Sequence, residues 1–224
     1  MKTITNRRLL LGAAVAAPSA ALLARALSSP TVEPKSALGS GRFPNVLMTT
    51  HHGKQVHFYD DVIRGNKINI ISMMYTQCPD VCGGALVNMA RAQKLLGERM
   101  GRDVFMYSIT LDPKQDSPKV LARHAELIGA GPGWTFLTGQ EADVQRLRQA
   151  LGFVDTDPVV DRDLRSHTGM LRAGNDSLDR WISCPAWAPA RQVAQSALWI
   201  GLGPGSGSGS GSVSGSGSGS RKAA

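Results

Sequence analysis

The chain has 224 residues, 42% of them apolar and only 5% aromatic, and a formal charge of +8. This composition excludes collagen, coiled coil and a polytopic membrane protein, and the length suits one domain of ordinary size. Six of the 25 bases lie at the ends (Lys2, Arg7, Arg8, Arg25, Arg221 and Lys222), so nineteen bases face all 17 acids in the body. A body so close to neutral has no electrostatic footprint for a phosphate backbone, which excludes nucleic acid as the expected partner.

In chain order, residues 1–26 read as an export signal of twin-arginine type. Asn6-Arg7-Arg8-Leu9 supplies paired arginines, Leu9 to Ala24 is uncharged and apolar, and Ala24-Arg25-Ala26 offers a small-x-small cleavage site. The apolar run is broken by Pro18 and is short for a span of about 20 residues. Cleaved, the segment releases the body; uncleaved, it associates the protein with a membrane. Either route predicts a body that faces the periplasm, where cysteine pairs can oxidise. Residues 27–45 read as a linker and 46–202 as the folded domain. Residues 203–224 form a Gly/Ser-rich tail that cannot bury enough surface to fold.

Within the domain, Val46 to Tyr59 alternates around His52-Gly53-Lys54 and predicts a β-hairpin. Lys67 to Tyr75 (KINIISMMY) is the near-continuous apolar run of a strand covered on both faces. A helix should begin near Val81, because Leu86, Met89, Ala90 and Leu96 share one helical face. Val104 to Leu111 is a second buried strand, and Ser117-Pro118 opens a second helix with a capping hydroxyl and a first-turn proline. Trp134 to Leu137 predicts a short strand; Val144, Leu147 and Leu151 mark a third helix. His167 to Arg172 is expected as the last strand and Arg191 to Ile200 as the last helix. Alternation of this kind argues an α/β sheet flanked by helices.

The chemistry-bearing motif is Cys78-Pro79-Asp80-Val81-Cys82, where a central strand hands over to a helix. Sites in open α/β sheets are built at that end. The amides and dipole of a helix N-terminus favour thiolate over thiol. If both cysteines were helical, their Cβ atoms would lie about 5–6 Å apart, wider than the roughly 3.8 Å of a disulfide. That spacing suits two sulfurs converging on one metal at bonds near 2.3 Å. A disulfide forms instead if Cys78 sits in the loop before the helix. The pair is therefore a metal clamp, a redox switch or both.

Two thiolates leave room for a third donor. His51, His52 and His57 fall in the hairpin and are expected to be exposed; His124 has the spacing of a packed helix residue. His167 begins the last predicted strand after a polar loop. It can meet the cysteines only if that strand runs antiparallel to the central one. Spacing alone leaves it as either a ligand or an ordinary polar residue. Adjacent Met73 and Met74 should point to opposite faces of their strand and fill core space. Asp80 suits a cap or an outer-shell group, Cys184 an inert buried thiol, and the four tryptophans packing.

Four stretches in consistent order resemble the SCO/SenC proteins, copper-handling assembly factors of cytochrome c oxidase. They are Tyr75-Thr76-Gln77-Cys78-Pro79-Asp80-Val81-Cys82, Ser108-Ile109-Thr110-Leu111-Asp112-Pro113, Phe136-Leu137-Thr138-Gly139 and Arg165-Ser166-His167-Thr168. Gly53-Lys54-Gln55-Val56 and Phe58-Tyr59-Asp60-Asp61 fit the family's opening, and the likeness covers roughly residues 46–182. It implies a thioredoxin-like fold: a mixed central sheet flanked by helices, with an N-terminal β-hairpin. It also implies a copper site, Cu(I) or Cu(II), made by Cys78, Cys82 and His167. Implied partners are an oxidase subunit carrying a copper site and other copper-transfer proteins. Gly83-Gly84 departs from the proline common after the second cysteine in the family, and Trp181 to Ala190 has no clear counterpart there.

The leading expectation is a copper metallochaperone, with no catalytic residues as such. The alternative is a thiol–disulfide oxidoreductase that cycles Cys78 and Cys82 through a mixed disulfide to reduce the oxidase's cysteines. A thiol peroxidase ranks last. Zinc also suits two cysteines and a histidine, and copper is preferred through the resemblance and the affinity of thiolates for Cu(I).

Overall fold

A computed structural model describes residues 42–77, 81–163 and 169–201, the side chains of residues 81–83 excepted. Seven strands form one mixed sheet in the order β2-β1-β5-β4-β3-β6-β7. The expected hairpin is β1 (Leu47–Thr50) and β2 (Gln55–His57), paired antiparallel, with Gly53 at φ 80° in the turn. That left-handed conformation is open to glycine without steric cost. A π-helical turn (Phe58–Ile63) follows and buries Phe58, Val62 and Ile63.

β3 (Ile68–Met74) is buried at every position, as its unbroken apolar run requires of a strand covered on both faces. It pairs parallel with β4 (Val104–Thr110), which pairs parallel with β5 (Trp134–Gly139). α1 (Val81–Leu96), α2 (Pro118–Ile128) and α3 (Glu141–Ala150) make the crossovers. The Ser117 hydroxyl accepts from Val120 N, Pro118 takes the first helical position, and Gly129 closes α2 at φ 71°. The hydroxyl cap and the proline were readable in sequence. Inside the sheet Ser72 and Ser108 share a hydroxyl–hydroxyl bond of 2.9 Å, and Trp134 Nε1 donates to Ser108 Oγ, while Asn69 Oδ1 on β3 is buried without a partner among the described residues.

The C-terminal third departs from expectation. The strand predicted over His167–Arg172 is β6 (Met170–Asn175), displaced toward the C-terminus, and it is not the last. An edge strand, β7 (Arg180–Pro185), follows within the segment that lacked a family counterpart, and pairs antiparallel with β6. Its apolar residues cluster with polar neighbours rather than alternating cleanly, so periodicity did not mark it. A short α4 (Pro158–Arg162) also went unforeseen. It is tied down by Arg148 of α3, whose guanidinium donates to both Asp161 oxygens at 2.7 and 2.8 Å and to Phe153 O. α5 (Ala190–Gly201) matches the expected last helix.

The sheet carries an apolar core on each face. One joins Met74 and Leu171 to residues of α1, α2 and α5; the other joins Met73 and Ile71 to the π-helical turn and α3. Met73 and Met74 thus serve opposite faces, as the strand period demands. Phe43 belongs to the second core and meets Trp181 edge-to-face at 4.7 Å. The architecture is thioredoxin-like, with the N-terminal hairpin built into one edge of the sheet. No helix among the described residues is long and apolar enough to cross a membrane.

Candidate functional site

Cys78, Asp80 and His167 lie outside the described residues. Cys82 falls in the first turn of α1, and its side chain is likewise outside them. What the structure describes is the frame on which these residues hang. β6 runs antiparallel to β3, with Leu171 opposite Ser72. The end of β3 at Met74, which leads to the cysteine motif, therefore shares one end of the sheet with the start of β6 at Met170, three residues after His167. This meets the topological condition under which the distant imidazole and the two thiols can converge.

The approach to the cysteines is held by a buried carboxyl group. Asp116, 1% exposed, lies in the loop between β4 and α2. Its Oδ2 accepts from Thr76 N at 3.1 Å and from Thr110 Oγ1 at 2.5 Å, and its Oδ1 accepts a short bond from Thr76 Oγ1. Thr76 stands two residues before Cys78. Leu111 N also donates to Met74 O at 2.7 Å, so the chain leaving β3 is tied to the chain leaving β4 by backbone and side chain together. Thr76 and Asp116 are 40 positions apart. No local pattern pairs them; only the Ser117-Pro118 cap beside Asp116 was legible.

A second clamp acts within the first two turns of α1. Asn88 Nδ2 donates to Ala186 O at 2.7 Å and to Ala188 O at 2.6 Å, bracketing Trp187. The Trp187 ring lies against Gly84: a Cβ built there would stand 2.0 Å from Trp187 Cη2. Gly84, the second glycine of the Gly83-Gly84 pair noted in the sequence, is thus the residue over which this indole fits.

The remaining histidines are dispersed. His51 differs from its expected exposure: it is half-buried, its Nδ1 accepts from Phe136 N at 3.1 Å, and its ring lies tilted by 38° against His52 with centroids 3.9 Å apart. Burial, with His52 as a second cause, holds its pKa below the usual 6.5. His57 is also half-buried rather than exposed, while His52 is exposed as expected. His124 packs edge-on to Phe136, and burial lowers its pKa against the opposing pull of Asp116. Cys184, a free cysteine, is buried opposite Leu171 in the core that holds Ala85 and Leu86 of α1. Burial raises its pKa, the behaviour of an inert thiol. Trp134 is buried, Trp181 half-buried, and Trp187 packs on Gly84 while 55% exposed, but Trp199 is 78% exposed, which corrects its expected role in packing. Among the described residues no group of three or more His, Cys, Asp or Glu is placed to hold a metal.

Comparison with known proteins gives a match to the SCO1/SenC family over residues 44–171. Protein sco1 of Schizosaccharomyces pombe is 32% identical over 95 residues, 42% of this chain and 34% of that protein. The chain spans between about a third and about half of the length of the curated relatives it matches. Among solved structures, ScoI of Bradyrhizobium japonicum with copper bound aligns with a TM-score of 0.53 at 21% identity, over 69% of this chain and 96% of that one. BsSco, described as having a disulfide switch and as a member of the Sco family of cytochrome c oxidase assembly proteins, aligns at 0.56 and 17%, over 70% and 91%.

Proposed function

Because the chain belongs to the SCO1/SenC family, we propose that it binds copper and serves the assembly of cytochrome c oxidase, with Cys78, Cys82 and His167 as the ligands. Copper here is cargo. Two thiolates and an imidazole form a soft to borderline donor set, suited to Cu(I) and adequate for Cu(II). The observation that carries the reading is the antiparallel seating of β6 against β3. Ligands taken from either side of that pair need no rearrangement of the sheet to approach one another.

The chain's own contribution to the transfer follows from where these residues sit. The first turn of a helix offers unpaired amides and the positive end of its dipole, which hold negative charge on sulfur in the loaded and unloaded states alike. Asp116 holds Thr76 and so limits the travel of the segment that carries Cys78. The thiolates of an oxidase copper site can then displace His167, Cys82 and Cys78 in turn by ligand exchange, without oxidation or reduction. The family, the copper-bound ScoI neighbour and the oxidase-assembly role of BsSco support this reading. The N-terminal segment would place the domain on the periplasmic side of a membrane.

A second reading is thiol–disulfide exchange by the same cysteine pair, favoured by the disulfide switch described for BsSco. Titration of the reduced protein with Cu(I) separates the two. One copper per chain is expected, with Cys78→Ser, Cys82→Ser and His167→Ala each losing more than the roughly 10–100-fold in affinity that an outer-shell change costs. Copper affinity indifferent to His167→Ala, with disulfide reduction retained, would favour the reductase.

A further inference from the structure

α1 and α5 lie side by side on one face of the sheet. Their 28 residues, VCGGALVNMARAQKLL and ARQVAQSALWIG, contain no aspartate or glutamate. Their outward side presents the exposed bases Arg91, Lys94 and Arg191. Between and beyond these stand three large apolar side chains in water: Leu95 at 55% exposure, Trp187 at 55% and Trp199 at 78%. The acids nearest along the chain are Asp80, which immediately precedes α1, Glu98, in the turn after α1, and Asp103, which is paired with Arg99 at 2.6 Å.

Exposed tryptophan is costly in water, and this fold holds one of the two in place rather than shedding it. Trp187 is braced against Gly84 and bracketed by both hydrogen bonds of Asn88, with its ring still half in solvent. Tryptophan beside arginine and lysine on an acid-free surface is the chemistry of the water–lipid interface, where the indole enters the headgroup layer and the bases meet lipid phosphates. A protein partner of ordinary composition would be expected to meet some acid on so large a face. We infer that the outward face of α1 and α5 docks on an anionic lipid bilayer, with α1 and α5 lying along the surface.

Docked in this way, α1 runs along the bilayer plane from its first turn, which follows the cysteine motif in the chain. The inference is independent of whether copper occupies that motif. The test uses the full chain on vesicles of phosphatidylcholine and phosphatidylglycerol whose acyl chains are brominated, with quenching of tryptophan fluorescence as the readout. Quenching should fall away in Trp199→Ser and Trp187→Ser, both changes of exposed side chains. Each base removed by Arg91→Gln, Lys94→Gln or Arg191→Gln should lower the docked-to-undocked ratio by about fivefold at low salt. Added salt should weaken docking, and vesicles of phosphatidylcholine alone should quench little. Quenching untouched by these five substitutions would overturn the proposal. So would a self-association in vesicle-free solution that depends on Trp187 and Trp199 while brominated vesicles leave both unquenched.

Discussion

Replacement of Asp116 by alanine tests how the approach to Cys78 is held. The substitution strips partners from three donors at once: Thr76 N, Thr76 Oγ1 and Thr110 Oγ1. Hydrogen bonds to a charged group contribute about 1.5–3 kcal/mol each, and an orphaned buried donor costs about 1–3 kcal/mol. The three are not additive. Thr76 is half-exposed, so water can recover part of its loss; Thr110 is fully buried and recovers less. Removal of the carboxyl group also relieves its own desolvation. The net expectation is about 3 kcal/mol, a fall in Tm of roughly 6–12 °C for a domain of this size. Asp116→Asn keeps one acceptor oxygen and should cost about half as much. Below both transitions, copper affinity of Asp116→Ala should drop by about 10–100-fold, as for an outer-shell partner. Thermal unfolding of the copper-free reduced protein and Cu(I) titration of the same samples make the measurement. A Tm within about 2 °C of the parent would refute the burial argument. A lowered Tm with unchanged copper affinity would refute the claim that Asp116 positions the cysteine segment. A cycle with Thr76→Val should return a coupling energy within the usual range of about 0.5–3 kcal/mol for contacting residues.

Stability should fall as pH drops below about 6.5, because the depressed pKa values of His51 and His124 mean that the unfolded chain takes up protons before the folded one does. A Tm profile against pH should therefore flatten on its acid side in His51→Gln and His124→Gln; an unchanged slope in both removes the assignment. Asn88→Ala strands the carbonyls of Ala186 and Ala188 and should cost about 1–2 kcal/mol, with a shift in tryptophan emission as Trp187 loosens. An unshifted spectrum would show that Gly84 alone seats the ring. Cys184→Ala should leave copper stoichiometry at its parent value, since that thiol is buried and its pKa is raised by burial. A loss of bound copper would bring Cys184 into the site.

Several features were legible because their causes are local. The run INIISMM could only be a strand buried on both faces, and VFMYSIT a second buried strand. Ser117 and Pro118 opened α2 by capping chemistry that needs no tertiary partner. Gly53 placed the hairpin turn. The cysteine motif was readable as chemistry because its spacing and its place after a strand restrict what two sulfurs can do. β7 was missed because an edge strand beside a helix has mixed burial, which blurs the two-residue period. His51 was misjudged because its burial comes from Phe136, 85 residues away.

Sequence by itself settled the alternation of strands and helices, the motif Cys78-x-x-x-Cys82 at a strand-to-helix junction, and the family likeness that nominates His167. Tertiary structure decided the direction of β6, the clamp of Asp116 on Thr76, the seat of Trp187 over Gly84, and the joining of α1 and α5 into one acid-free face. The division has one physical cause. Strand period, helix caps and glycine turns act between residues a few positions apart, whereas strand order and buried hydrogen bonds join residues tens of positions apart. Those pairings are selected by the free energy of the whole packed sheet, to which no short stretch of sequence has access.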